Sequence, residues 1–257
     1  MTDDPRRPPR GARSRRPRRR ASFVGVLGEL LITAGVLVLL FIGWQQWFND
    51  LVVAGEHRDQ ASSLSERFEQ SAGPAVEPDA DGSFGDPPVG EAPAEAEEFA
   101  NFYVPRFGAD YAVPIGGGTS TVRTLNSVGI GHYDDTQMPG EVGNFGLAAH
   151  RTTYGAPFNA IADLREGDKM YVQTRDGWYT YSFRNLQYVQ ASQVSVLQPV
   201  PDAPDVSAAS GERLITLTSC NPMFTAQERI VAYGVFDSWQ PLSAGAPAEV
   251  AAAAGGN

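Results

Sequence analysis

Cysteine is almost missing from this chain. With only Cys220 in 257 residues, no intrachain disulfide can form, so the fold rests on no covalent cross-link. Histidine is nearly as scarce, with His57, His132 and His150 alone. Basic residues are thin beyond the N-terminus. The first 20 residues hold nine Arg against Asp3 and Asp4, a local charge of +7 within a formal net charge of −10, which leaves −17 for the remainder. No repeat recurs along the chain, which excludes solenoids and propellers. An Arg block abutting an apolar run reads as a topology signal touching anionic lipid, and no nucleic-acid partner is expected.

What is present divides the chain into five stretches. Residues 1–22 form a basic tail. Phe23 to Trp44 is apolar except for Glu29; at about 1.5 Å per residue it spans the hydrocarbon core of a bilayer. Trp44 and Trp47 fall where an interfacial aromatic belt sits. The run is too long for a signal-peptide core and no small-residue cleavage site follows, so an uncleaved single-pass anchor is expected, its N-terminus cytoplasmic and the rest extracellular. Residues 45–99 join a polar juxtamembrane segment, which over 45–70 fits a short helix with Leu51, Val52 and Leu64 as a meagre apolar face, to a stretch rich in Pro, Ala, Gly, Asp and Glu. That stretch reads as a disordered acidic stalk, and His57 as solvated. Residues 242–257 are Ala/Gly-rich and read as a disordered tail.

Residues 100–241 remain as the folded domain. Short β-branched and aromatic runs separated by Gly, Pro, Asn and Asp predict an all-β protein. Strands are expected over 101–106, 111–115, 144–150, 169–174, 178–188, 213–219 and 229–237. Asp176-Gly177 marks a hairpin, and short helical turns are expected over 119–128 and 159–164. Seven or eight strands with one or two short helices point to a closed β-barrel, which leaves no exposed sheet edge.

Cys220 ends the strand that begins at Arg213, because Pro222 cannot continue a paired central strand. An unpaired cysteine is either an inert buried side chain or a reactive thiol. Arg229 begins the next strand, close to Cys220 across the turn of an antiparallel pair. A guanidinium there favours the thiolate and offers donors to an oxyanion; a plain surface arginine fits the spacing equally. His150 closes an apolar strand, well placed for general acid–base work, although a hydrogen-bonded structural histidine has the same pattern. His132 follows Gly129-Ile130-Gly131 and falls in an expected loop. Asp134, Asp135 and Glu141 lack the ligand spacing of a calcium loop, so neither metal nor cofactor is expected.

Thr216-Leu217-Thr218-Ser219-Cys220, followed nine residues later by Arg229, resembles the Thr-Leu-x-Thr-Cys…Arg signature of sortases, with Ser219 where the family usually has Thr. Gly146-Leu147-Ala148-Ala149-His150-Arg151 resembles the family's histidine strand. Gly131-His132-Tyr133, Met138-Pro139-Gly140 and His150-Arg151-Thr152-Thr153-Tyr154-Gly155 are similar to class E sortases of high-GC Gram-positive bacteria. The resemblance covers residues 100–240.

It implies a cysteine transpeptidase with Cys220 as nucleophile, His150 as acid and base, and Arg229 as the oxyanion donor. The substrate would be a secreted protein bearing a C-terminal sorting signal, cleaved after Thr through a thioacyl-enzyme and passed to the amine of a peptidoglycan precursor. Class E members resemble one another in preferring Leu-Ala-x-Thr-Gly over Leu-Pro-x-Thr-Gly, and Tyr133 matches the position tied to that choice. Thr218 and Ser219 are further candidates for substrate contact. Two other readings share the Cys and His: a membrane-anchored cell-wall cysteine hydrolase, and a non-enzymatic peptide-binding β-barrel. L,D-transpeptidases carry a His-Gly-Cys-x-Arg cluster that Thr218-Ser219-Cys220 does not match.

Overall fold

The computed structural model describes residues 22–44, 49–80, 82–206 and 211–254. The basic tail, Trp47 and the last three residues lie outside them. Helix α1 (Phe23–Gly43) belongs to one compact unit; everything from Trp44 onward belongs to a second. α1 buries none of its side chains and is long and apolar enough to cross a membrane. An apolar helix with no protein face to cover it suits lipid rather than water.

In the second unit, eight strands close a barrel: β1 (Glu98–Tyr103), β2 (Ala112–Gly117), β3 (Ile130–His132), β4 (Gly143–Ala149), β5 (Lys169–Thr174), β6 (Gly177–Gln190), β7 (Arg213–Asn221) and β8 (Glu228–Pro241). Their spatial order is β1-β2-β3-β4-β7-β8-β6-β5, and β5 returns to β1. Two pairs are parallel, β2–β3 and β4–β7; the others are antiparallel. Closure satisfies the edge groups that an open sheet would expose.

Alternation sorts the side chains. On β7, Ile215 and Leu217 enter the core with Phe102, Ile115, Phe145, Met170 and Tyr181, while Thr216, Thr218 and Cys220 share the opposite face. On β8, Ile230 and Ala232 face in, and Arg229, Val231 and Tyr233 share the outer face. The expected hairpin at Asp176-Gly177 joins β5 to β6. The two helical stretches shrink to a π-helical turn at Thr121–Leu125 and a 3-10 turn at Asn159–Asp163.

Four expectations need correction. The juxtamembrane segment is a full helix, α2 (Asn49–Gln70), docked on the barrel. His57, Ala61, Leu64 and Phe68 are its buried side chains, at i, i+4, i+7 and i+11, the spacing of one helical face. The sequence hid that face because its first member is a histidine and its second an alanine. His57 is therefore not solvated but 2% exposed. Asn101 Nδ2 donates to Ala61 O (2.8 Å) and Gln173 Nε2 to Ser65 Oγ (2.7 Å), tying α2 to β1 and β5.

Among the described residues the acidic stretch has no helix, but its second half lies on the barrel. Trp239 Nε1 donates to Gly85 O (2.9 Å), Tyr179 Oη to Pro88 O (2.7 Å), and Arg213 pairs with Asp86. Ala96 N and Glu97 O bond the backbone of Gly117. There, a Cβ on Gly117 would sit 2.3 Å from Ala94 O, so only glycine admits the segment. Few large apolar side chains are needed when backbone carbonyls make the contacts, which composition does not register.

His132 is on a strand, not in a loop; it ends β3 and is buried, with Nε2 beside Gln137 O and Thr136 Oγ1. The tail forms a short helix, α3 (Ala248–Ala254), whose Glu249 accepts from Tyr171 Oη (3.0 Å). Alanine's helix propensity accounts for it.

The α2 contact can be measured. Leu64→Ala should lower the unfolding free energy of the barrel by about 2–3 kcal/mol, as cavity-forming core truncations do. A loss below about 0.5 kcal/mol in a denaturant titration, the range of ordinary surface changes, would mean that α2 adds nothing to the fold.

Candidate active site

The site grows from β7, paired on both sides. β8 lies antiparallel, with Cys220 opposite Arg229. β4 lies parallel, with Ala148 opposite Thr218. Two residues further on, that register brings His150 level with Cys220. Two bonds hold the strand ends there: Ser219 Oγ donates to Ala149 O (2.8 Å), and Arg151 Nη1 donates to Cys220 O (3.4 Å). His150, Cys220 and Arg229 thus form one row across three strands, at the end of the barrel where β4 and β7 stop. All three are half-buried. The thiol is free.

His150 is held on several sides. Its Nε2 lies 2.8 Å from Asn126 Oδ1, and its ring stacks on Tyr154 with centroids 5.2 Å apart at 28°. With Oδ1 as acceptor, Nε2 carries the proton and Nδ1 is left to accept one. Burial lowers the imidazole pKa from its usual value, and the nearby Asp50 carboxylate pulls it partly back. Asp50 comes from α2, and its Oδ1 accepts from Gly155 N (3.3 Å).

Arg229 does not point its Nη1 at the thiol. Nη1 donates to Ala226 O (3.0 Å), in the β7–β8 turn, and to Glu228 O (2.9 Å), where the turn enters β8. Those carbonyls park the guanidinium near the row. Asn221 Nδ2, bonded to Glu228 Oε2 (3.1 Å), closes the same turn.

Thr218 Oγ1 lies two residues before Cys220 on the same face. It donates to Leu147 O (3.1 Å) and lies 2.9 Å from Tyr133 Oη. A threonine hydroxyl has one proton, so Tyr133 is the donor to Thr218, and the tyrosine oxygen keeps lone pairs to accept another N–H. Beside Thr218, Val231 packs with Val189 and Val196, the last from the 3-10 turn Val194–Leu197 in the β6–β7 connection. That connection thus covers the outer face next to the row, over the residues described.

Of the six candidate residues, five line one surface: Cys220, His150, Arg229, Thr218 and Tyr133. Ser219 faces the other way and is 3% exposed. Its hydroxyl locks β4 to β7, a structural role in place of the expected contact with substrate. Asn126, Asp50 and Tyr154 were not singled out from sequence. Asn126 and Asp50 carry no motif and lie 24 and 100 positions from His150; Tyr154 stood inside the matched histidine segment, but only the stack reveals its part.

A model of the sortase domain matches residues 102–237. Sortase SrtE1 of Streptomyces coelicolor is 35% identical over 244 residues, 93% of this chain and 64% of that relative, so this chain spans less than two thirds of that protein. Sortase SrtE2 of the same organism is 33% identical over 231 residues, 87% of this chain and 86% of the relative. Among solved structures, Sortase E1 from Streptomyces coelicolor with a tripeptide in the active site is 36% identical with a TM-score of 0.56, covering 62% of this chain and 99% of that one. The SrtA sortase from Actinomyces oris is 35% identical with a TM-score of 0.61, covering 65% and 94%.

The buried imidazole makes a direct prediction. The His150 ring should titrate below the ordinary histidine value of about 6.5 in an NMR pH series, and so be mostly neutral at pH 7. A midpoint at or above 7 would contradict the environment described.

Proposed function

Because the chain belongs to the sortase family, whose members are cysteine transpeptidases, we propose that it joins secreted proteins bearing a Leu-Ala-x-Thr-Gly-like sorting signal to the amine of a cell-wall precursor. The observation that carries this reading is the row of Cys220, His150 and Arg229 across β4, β7 and β8.

The chemistry follows from the row. His150 takes the proton of the Cys220 thiol on Nδ1, the sulfur attacks the carbonyl carbon of the signal threonine, and the carbonyl oxygen takes up the negative charge. The Arg229 guanidinium leaves its two turn carbonyls and donates to that oxygen, the usual gain from a well-placed donor being about 3–4 kcal/mol. His150 protonates the departing glycine amine, the C–N bond breaks, and a thioester joins substrate to enzyme. An incoming amine then attacks the thioester, His150 takes its proton, and the product leaves as a new amide with the thiol restored. Two acyl transfers replace one direct exchange, each with a lower barrier.

Tyr133 and Thr218 suit the Ala in the signal. The tyrosine oxygen, having given its own proton to Thr218, can accept an N–H from the peptide backbone. Alanine supplies that N–H and proline has none. Leaving the acceptor unpaired in a half-buried groove penalises the proline peptide.

The membrane placement rests on α1 and on the Arg block before it. The span fits a single pass, and the rule that the basic side of such a span stays cytoplasmic supports a barrel on the outer surface beside the nascent wall.

Two outcomes test this. Incubation with a Leu-Ala-x-Thr-Gly peptide should add the mass of the acyl fragment to Cys220, and Cys220→Ala should show none; adding an amine should convert the adduct to an amide. Release of free carboxylate alone, with amine in excess, would make the enzyme a hydrolase. Tyr133→Phe should cut the preference for the Ala over the Pro peptide by about tenfold, the worth of one hydrogen bond. An unchanged ratio of kcat/KM values would remove Tyr133 from the selection.

A further inference from the structure

The loop after His150 is conformationally strained. Tyr154, Gly155 and Ala156 follow one another in the left-handed region, with φ of 53°, 76° and 46°. Two of the three bear a Cβ, and each such residue costs about 1–3 kcal/mol unless its surroundings impose it. Ala156 N donates to Thr153 O (2.9 Å) within the turn, and the base of the loop is closed by Phe158 N to His150 O (3.1 Å) and by the reciprocal bonds of Arg151 and Asn159. At the tip, further restraint comes from α2. Asp50 Oδ1 accepts the Gly155 N–H. One helical turn or two further along, His57 packs under the same residue: a Cβ on Gly155 would lie 3.0 Å from His57 Nδ1 and 3.1 Å from Ala54 N. His57 also lies against Gly129, just beyond the Asn126 turn.

This strained loop carries the Tyr154 ring onto the His150 imidazole. We propose that Asp50 is a positioning residue for the transpeptidation: from the first turn of α2 it clamps Gly155, and through Tyr154 it fixes the orientation of the His150 ring. This rests on the acid–base role of His150 given above. Asp50 also acts on His150 by charge. Burial pushes the Asp50 carboxyl up, while the Gly155 N–H and His150 draw it back; in turn the carboxylate favours the protonated imidazole. Ionisable groups nearest His150 along the elements around it include His57 on α2, Arg123 on the Thr121–Leu125 turn, Arg151 and Tyr154 on the loop, Cys220 on β7 and Arg229 on β8. Among these groups, the Asp50 carboxylate is the one placed to favour the protonated His150 imidazole.

Three variants of the full chain in detergent separate clamp from charge. Asp50→Asn keeps an oxygen acceptor for Gly155 and loses the charge; Asp50→Ala loses both; Asp50→Glu keeps the charge on a longer arm. The His150 midpoint, read by NMR without any peptide, should fall in Asp50→Asn and in Asp50→Ala. The acyl-enzyme formation rate should drop about tenfold in Asp50→Ala, as displacement of a catalytic group by a fraction of an ångström does, with KM for the peptide little changed. Asp50→Asn should lose less, and Asp50→Glu should recover part of the rate and of the midpoint. A thermal midpoint lowered in Asp50→Ala with its His150 titration and pH–rate profile unchanged would overturn the proposal and leave Asp50 a structural residue. No acyl-enzyme in the unsubstituted protein would instead strike the reading of His150 and Cys220, while the peptide-free titration would still judge the clamp.

Discussion

Strand β7 is hydrogen-bonded on both sides almost to its last residue, and the rest of the site depends on that double pairing. An antiparallel neighbour puts Arg229 opposite Cys220. A parallel neighbour brings the end of β4, and with it His150, to the same level. Neither pairing alone would assemble three groups from positions 150, 220 and 229. Because side chains on paired strands alternate together, a slip of one residue in either register would send one partner to the interior. The Ser219–Ala149 bond and the Arg151–Cys220 bond sit at the point where such a slip would start.

Two groups of the row, Arg229 and His150, already have partners of their own. Arg229 rests on two carbonyls of its own turn. His150 is bonded to Asn126, stacked on Tyr154 and lowered in basicity by burial. A substrate carbonyl must compete with the turn carbonyls for the guanidinium, and a developing negative charge is the stronger acceptor. On the proposed mechanism the donor would be best satisfied when the oxyanion forms, the condition for lowering a barrier rather than merely binding substrate.

The barrel and the core of the site were legible in the sequence for a shared reason. Strand alternation repeats every two residues, and β7 and β8 show it cleanly through Ile215, Leu217, Ile230 and Ala232. The Thr216-to-Cys220 run and Arg229 lie within one hairpin, so their proximity follows from local spacing. His150 needed the family resemblance, because the parallel β4–β7 pairing joins segments 70 residues apart with no turn to announce it. The second layer was not legible. Asp50, His57 and Asn126 act through contacts between a helix, a π-helical turn and a loop, and no short motif encodes them. The α2 face escaped notice because burial of His57 and Ala61 defies a count of large apolar residues. The second half of the acidic stretch binds the barrel largely through backbone carbonyls, to which hydropathy is blind.

In the proposed reaction a sulfur, an imidazole and a guanidinium converge on one substrate carbonyl. A crystal structure of the protein joined covalently at Cys220 to a Leu-Ala-x-Thr peptide analogue measures it most directly. The threonine carbonyl oxygen should lie within hydrogen-bond reach of Arg229, about 2.7–3.2 Å, with the guanidinium released from Ala226 and Glu228 and the His150 ring facing the site of the departing amine. An Arg229 still bound to its turn carbonyls, with the substrate oxygen held by other donors or by none, would contradict it.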